Sequence, residues 1–139
     1  MMAESLFRQV DRYPAGVDHP AQQYYNPHLT AAEERTLLRR NYLLLMTGQA
    51  ALGLIGPDIL GIAVEPRPDA VGLHFAVADR TPEVEEDTQH ITDDLEVFLG
   101  GGPDQRSRIL TQIHVGRPDT AWPGRAHALL YIAKLPEAE

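Results

Sequence analysis

Thr81-Pro82-Glu83-Val84-Glu85-Glu86-Asp87-Thr88-Gln89-His90-Ile91-Thr92-Asp93-Asp94-Leu95-Glu96-Val97-Phe98-Leu99 decides how this chain is read, because it joins a helix signature to the densest charge in the sequence. Thr81 is a good N-cap. Pro82 suits the first helical position, where its missing N–H has no partner to lose, and the acidic opening turn opposes the helix dipole. Gly100-Gly101-Gly102-Pro103 ends the helix. Val84, Thr88, Ile91, Leu95 and Phe98 step by four and three residues into one stripe, with Leu99 on its edge, and that stripe is predicted to face a core. Glu83, Glu85, Glu86, Asp87, Asp93, Asp94 and Glu96 fill the rest of the wheel, with little basic charge beside them. Such a face is either a solvated surface or a docking surface for a basic partner. Val97 and His90 lie within it, so Val97 is either covered by a loop or an apolar contact inside a charged patch.

The length of 139 residues fits one folded domain, which at this size buries roughly two thirds of the surface its unfolded chain exposes. There is no cysteine, which removes disulfides, thiolate-bound metal and thiol nucleophiles, and agrees with a reducing cytosol. Residues 1–12 have neither a basic start nor a long apolar run, so no secretory signal is expected. The most apolar region, 43–60, is broken by Gly48, Gln49, Gly53, Gly56, Pro57 and Asp58, so no membrane span is expected either. The net charge of −8 is carried entirely from Asn41 onward, where seven basic residues meet fifteen acidic ones. Direct nucleic-acid binding is disfavoured, since phosphate neutralisation needs a basic patch.

Residues 1–29 read as an N-terminal arm, with a short amphipathic helix over 3–12 and tyrosines beside Pro14 and Pro27, and residues 30–139 as a single α+β domain. Thr30-Ala31-Ala32-Glu33 is a capping box that opens a long helix to about Ile55. Leu37, Leu38, Leu44, Leu45, Ala51, Leu52 and Ile55 are expected to form its main face, centred on Asn41 and Gly48. Gly48 would then allow a close backbone approach, and Asn41 would need a hydrogen-bond partner. Leu43, Met46, Ala50 and Leu54 form a second apolar side, to be covered by the arm or by a second copy of the chain. Strands follow at 59–65, with Leu60, Ile62 and Val64 on one face, and at 71–77, where Val71, Leu73, Phe75 and Val77 alternate with Gly72, His74, Ala76. Beyond the acidic helix, 108–116 alternates again, and 127–135 is apolar on both faces, which suits a central strand. The order αββαββ predicts a two-layer sandwich, a four-stranded sheet with two helices on one face.

Six histidines invite a search for chemistry. His74, His114 and His127 fall on strands, and His74 and His114 share the sheet side opposite the main apolar alternation. A zinc or acid–base site would need their convergence plus a third ligand or a carboxylate. No HxH or HExxH spacing, nucleophile elbow or phosphate loop is present, so catalytic residues, metal ligands and cofactors are all expected to be absent. A small histidine-based enzyme or metal site stands as an alternative. Trp122, alone of its type, sits in the Pro/Gly-rich loop 117–125 and either packs down or stands out as an interface anchor.

The run Gln49-Ala50-Ala51-Leu52-Gly53-Leu54-Ile55-Gly56-Pro57, the strand centred on Leu73-His74-Phe75, the acidic helix and the closing Leu130-Tyr131 strand together resemble the small immunity proteins of bacterial polymorphic toxin systems. The resemblance is in particular to those of contact-dependent growth inhibition systems, and it spans roughly residues 30–135. The resemblance implies a cytoplasmic, non-enzymatic antidote that binds and blocks one cognate toxin domain, often a nuclease. On that reading Glu85, Glu86, Asp93, Asp94 and Glu96 are the expected toxin contacts, with Val97 and Trp122 as apolar anchors. A homodimeric structural or regulatory module is the other alternative, through the extra apolar side of the first helix.

Overall fold

The computed structural model describes residues 26–136, so the expected arm helix over 3–12 lies outside the described residues, as does His19. The chain divides into two compact units, Met1–Glu34 and Arg35–Glu139. In the described part of the first, the Asn26 side chain accepts from the His28 amide at 3.0 Å. There the capping box forms as expected, with the Glu33 amide donating to Thr30 Oγ1 and the Thr30 amide to Glu33 Oε1, both at 3.1 Å.

Two helices and four strands follow in the predicted order: α1 (Ala31–Ala51), β1 (Ile59–Arg67), β2 (Ala70–Val77), α2 (Pro82–Leu99), β3 (Arg108–Val115) and β4 (Ala128–Ile132). The strand order is β3-β2-β1-β4. A tight turn at Pro68-Asp69 sets the β1–β2 hairpin, pairing Arg67 with Ala70, Glu65 with Gly72 and Ala63 with His74. β2 and β3 run parallel, which needs a crossover, and α2 supplies it. The expectation of a central β4 is overturned. β4 pairs only with β1, at the sheet's edge, and Leu129 and Ile132 are exposed. β1 and β2 take the central places instead because the hairpin leaves one free edge for each later strand.

One face of the sheet carries Ile62, Val64, Val71, Leu73, Phe75 and Val77, and both helices cover it. α2 buries Val84, Thr88, Ile91, Leu95 and Leu99, and its Thr81 cap accepts from the Val84 amide at 3.1 Å. Leu99, not Phe98, completes the stripe; Phe98 is exposed. The helical repeat of 3.6 residues favours a step of four over three at that end. The buried Thr47 and Thr88 hydroxyls donate to the carbonyls of Leu43 and Val84, four residues back, so neither is left unpaired.

α1 reverses the expected orientation. Leu43, Thr47, Ala50 and Ala51 are buried, while Leu38 and Leu45 are each 59% exposed and Leu52 76%. The face richer in leucine is the open one, since a helix apolar on two sides carries no periodicity to choose between them. The small residues win because they let the helix lie close to the sheet. Asn41 is exposed and needs no protein partner. At Gly48 the nearest atom to an added Cβ is Leu130 Cδ1 at an ordinary 3.5 Å, so no especially close backbone approach occurs there. The helix also ends earlier than predicted, at Ala51, where Gly53 turns the chain with φ of 77°.

Leu60 is a further correction. A bulge between Ile59 and Gly61 shifts the register, so Leu60 leaves the face of Ile62 and Val64 and joins Ala63, Ala76 and Trp122 on the opposite one.

Arg39 ties α1 to both neighbouring loops. Its guanidinium donates to Asp104 Oδ1 at 3.0 Å, to the Arg67 carbonyl at 2.6 Å and to the Ala70 carbonyl at 3.3 Å. Asp104 is buried and accepts otherwise from Ser107. Arg39→Met is therefore expected to lower stability by about 2–3 kcal/mol, chiefly by stranding that carboxylate. Urea unfolding beside the exposed Arg40→Met, which should change little, checks this.

Candidate functional site

Two surfaces carry the chemistry. The first is the outer side of α2, where Glu83, Glu85, Glu86, Asp93, Asp94 and Glu96 are exposed and Asp87 is half-buried. Their exposure follows from the burial of the stripe beneath them. Arg80 pairs with Glu85, and Gln89 donates to Asp93 at 2.8 Å; the helix itself contains no lysine or arginine. Val97 is 73% exposed inside this wall, covered by no loop among the described residues, and Phe98 is exposed beside it. Five of the expected contact residues and Val97 thus share one accessible helix surface.

Trp122 is not part of it. The residue is 1% exposed and lies over the face of the sheet opposite the helices, so it is not available as an interface anchor. Two glycines make the seat. A Cβ on Gly61 would come within 3.0 Å of the indole, and one on Gly124 within 2.5 Å of the indole and 2.7 Å of His74 Cβ. Gly124 belongs to a 3-10 turn, Pro123–Ala126, that folds the long loop back onto the sheet.

The second surface is beside Trp122. His74 on β2 and His127, just before β4, both direct Nε2 at Oε1 of Glu65 on β1, at 2.8 and 3.2 Å. Their rings stack with centroids 5.2 Å apart and planes inclined by 18°. Arg67 grips both carboxylate oxygens, Nε donating to Oε2 at 2.6 Å and Nη2 to Oε1 at 3.2 Å. An ionised carboxylate can only accept, so His74 Nε2 donates in its hydrogen bond to Glu65. His74 is buried, Glu65 largely so, and His127 is about a third exposed. Among the described residues, Glu65, His74 and His127 form the group whose ligand atoms all lie within 4.8 Å of one another.

The convergence of His74 and His114 that a site on their shared sheet side would need is only partial. Both line a small cavity of about 120 Å³ with Gln112, Ile113, Trp122 and Pro123, but the His74 ring turns to Glu65 and His127 instead. The hairpin turn at Pro68-Asp69 contained the missing signal, because a register through it brings Glu65 and His74 to the same side of adjacent strands. Nothing local pointed to His127. As an acid–base pair the arrangement is poorly placed: His74 is 3% exposed and its Nε2 is already engaged by Glu65.

Hydrogen bonding from Arg67 is the main cause that holds the Glu65 carboxyl at about 2, against an ordinary 4.5. Burial opposes it, and His74 and His127 reinforce it. A folded-state value below the unfolded one means stability that is present above about pH 4.5 and lost as pH falls toward 2. The stability gap between the native chain and Glu65→Gln is therefore expected to narrow across that window in a pH series of urea titrations. A gap constant down to pH 2 would contradict it.

An open, mixed four-stranded sheet with two helices on one side, an acidic wall on the crossover helix and a carboxylate–imidazole cluster on the far side define a two-layer α+β protein with two separate polar surfaces. Comparison with protein-family models and with curated proteins gave no match. Among the described residues, no helix is long and apolar enough to cross a membrane.

Proposed function

We propose that this protein is a non-enzymatic immunity protein that binds a basic toxin domain, of the nuclease type, through the outer surface of α2 and blocks it in the cytoplasm. One observation carries the reading: six exposed carboxylates line one side of α2, three of them (Asp93, Asp94 and Glu96) beside a bare Val97, and among the described residues Arg80 is the one basic side chain paired to them. Charge alone would serve solubility, but an exposed valine inside a charged wall adds nothing to solubility and suits the centre of an interface. Carboxylates spaced along a helix can occupy a cleft built for phosphates, and opposite charge speeds the encounter. The resemblance to immunity proteins of polymorphic toxin systems points the same way. Coexpression with the toxin domain encoded beside this gene is the test. Cell survival and a co-eluting complex are expected; unprotected cells and no complex would reject the reading.

The open face of α1 favours a second reading, a homodimer. Leu38 and Leu45 on α1 and Leu52 just past its end recur at seven-residue intervals, the spacing by which one helix seams against another, and all three are exposed. Light scattering is expected to give twice the chain mass, reduced to one by Leu45→Glu; a monomer at high concentration would dismiss it.

A further inference from the structure

We propose that Glu65, His74 and His127 bind one divalent transition-metal ion of the zinc class on the sheet face opposite the helices. The inference is independent of the toxin-binding reading, since α2 lies on the other side of the sheet.

Two imidazole nitrogens and one carboxylate oxygen are the donor set that zinc and its neighbours prefer, with a fourth position left to water. The donors come from three different parts of the chain: β1, β2 and the residue before β4. They are already gathered, His74 Nε2 and His127 Nε2 lying 2.8 and 3.2 Å from the same oxygen. The 3.2 Å separation matches the roughly 3.3 Å expected between ligands of a tetrahedral ion with bonds of about 2.0–2.1 Å, and the 2.8 Å one must open by about 0.5 Å. An ion seated there replaces the His74–Glu65 hydrogen bond with coordinate bonds from all three donors, and the His74 ring proton moves from Nε2 to Nδ1.

The surroundings are built for these side chains. A Cβ on Gly72 would stand 3.0 Å from Glu65 Cβ, 3.3 Å from its Oε1 and 3.4 Å from His74 Nε2, so the absence of a side chain there makes room for the donors. Trp122 and Gly124 pack against His74 from the other side and fix its position. Arg67 orients the carboxylate by holding both oxygens, Oε2 at 2.6 Å and Oε1 at 3.2 Å, and an ion on Oε1 takes the place of the longer of these two contacts. One adjustment is needed. A metal lies in the plane of each imidazole that binds it, so one ring must turn out of the near-parallel stack. His127, a third exposed and outside β4, is free to do so, whereas His74 is enclosed.

The test uses the full chain without an affinity tag, titrated with zinc chloride by calorimetry and with cobalt chloride by visible absorption. One equivalent of zinc is expected, with cobalt bands of the intensity typical of four-coordinate sites. His127→Ala, at an exposed position that should not disturb folding, and Glu65→Gln should each weaken binding by about 10- to 100-fold or more, the range seen even for outer-sphere ligand partners. His19→Ala, His28→Ala, His90→Ala and His114→Ala should leave it unchanged. Failure to take up a stoichiometric ion would overturn the proposal, and so would zinc binding that His127→Ala and Glu65→Gln do not weaken.

Discussion

Trp122→Ala is expected to destabilise the protein by about 3–5 kcal/mol, a large share of the total for a domain of this size. The indole is 1% exposed and lies against Leu60, Ala63 and Ala76, above Gly61 and beside Gly124. Its removal opens a cavity that neighbours as small as alanine and glycine cannot refill. The loss extends to the cluster beside it, because the same loop positions His74 and leads into His127. A urea midpoint lowered by well over 1 M, at an m-value of roughly 1–3 kcal/mol per molar, is the expected readout. Val97→Ala, at an exposed site, should leave the unfolding free energy within about 0.5 kcal/mol of the native value. If Trp122→Ala unfolds where Val97→Ala does, the loop does not cover the sheet as described.

The combined substitution Glu85→Lys, Glu86→Lys, Asp93→Lys and Asp94→Lys is expected to weaken toxin binding by at least about 100-fold at low salt, mainly through slower association. Four reversals change the local charge by eight units on a surface that the proposed partner meets with positive charge. The remaining affinity should also lose most of its salt dependence, since screened attraction is what salt removes. All four side chains are exposed, so the fold should persist. A modest cost is expected at the helix start, about 0.3–1 kcal/mol for each acidic residue lost from the first turn, together with the Arg80–Glu85 pair. Circular dichroism separates that cost from the binding effect. Unchanged affinity in a folded variant would move the interface elsewhere, and the leucine-lined face of α1 would be the next place to look.

The two surfaces differ in how far the sequence disclosed them. The acidic wall was legible in advance because a single helix builds it: the 3.6-residue repeat that buries Val84, Ile91 and Leu95 turns Glu85, Asp93, Glu96 and Val97 outward whatever else the chain does. The Glu65–His74–His127 cluster was legible only in part. Placing His74 beside Glu65 required the hairpin register, and adding His127 required the partner of β4.

Local pattern by itself therefore determined the elements, their order, the capping box at Thr30, the Thr81 cap and the exposed carboxylates, all of which depend on contacts within a few residues. Tertiary structure alone decided which side of α1 is buried, that Leu60 crosses to the face of Trp122, that β4 takes an edge and that Trp122 packs down. Each of those outcomes is a competition between surfaces that look equally apolar along the chain. Packing settles it in three dimensions, where small residues permit close approach and a single bulge reverses the facing of a side chain.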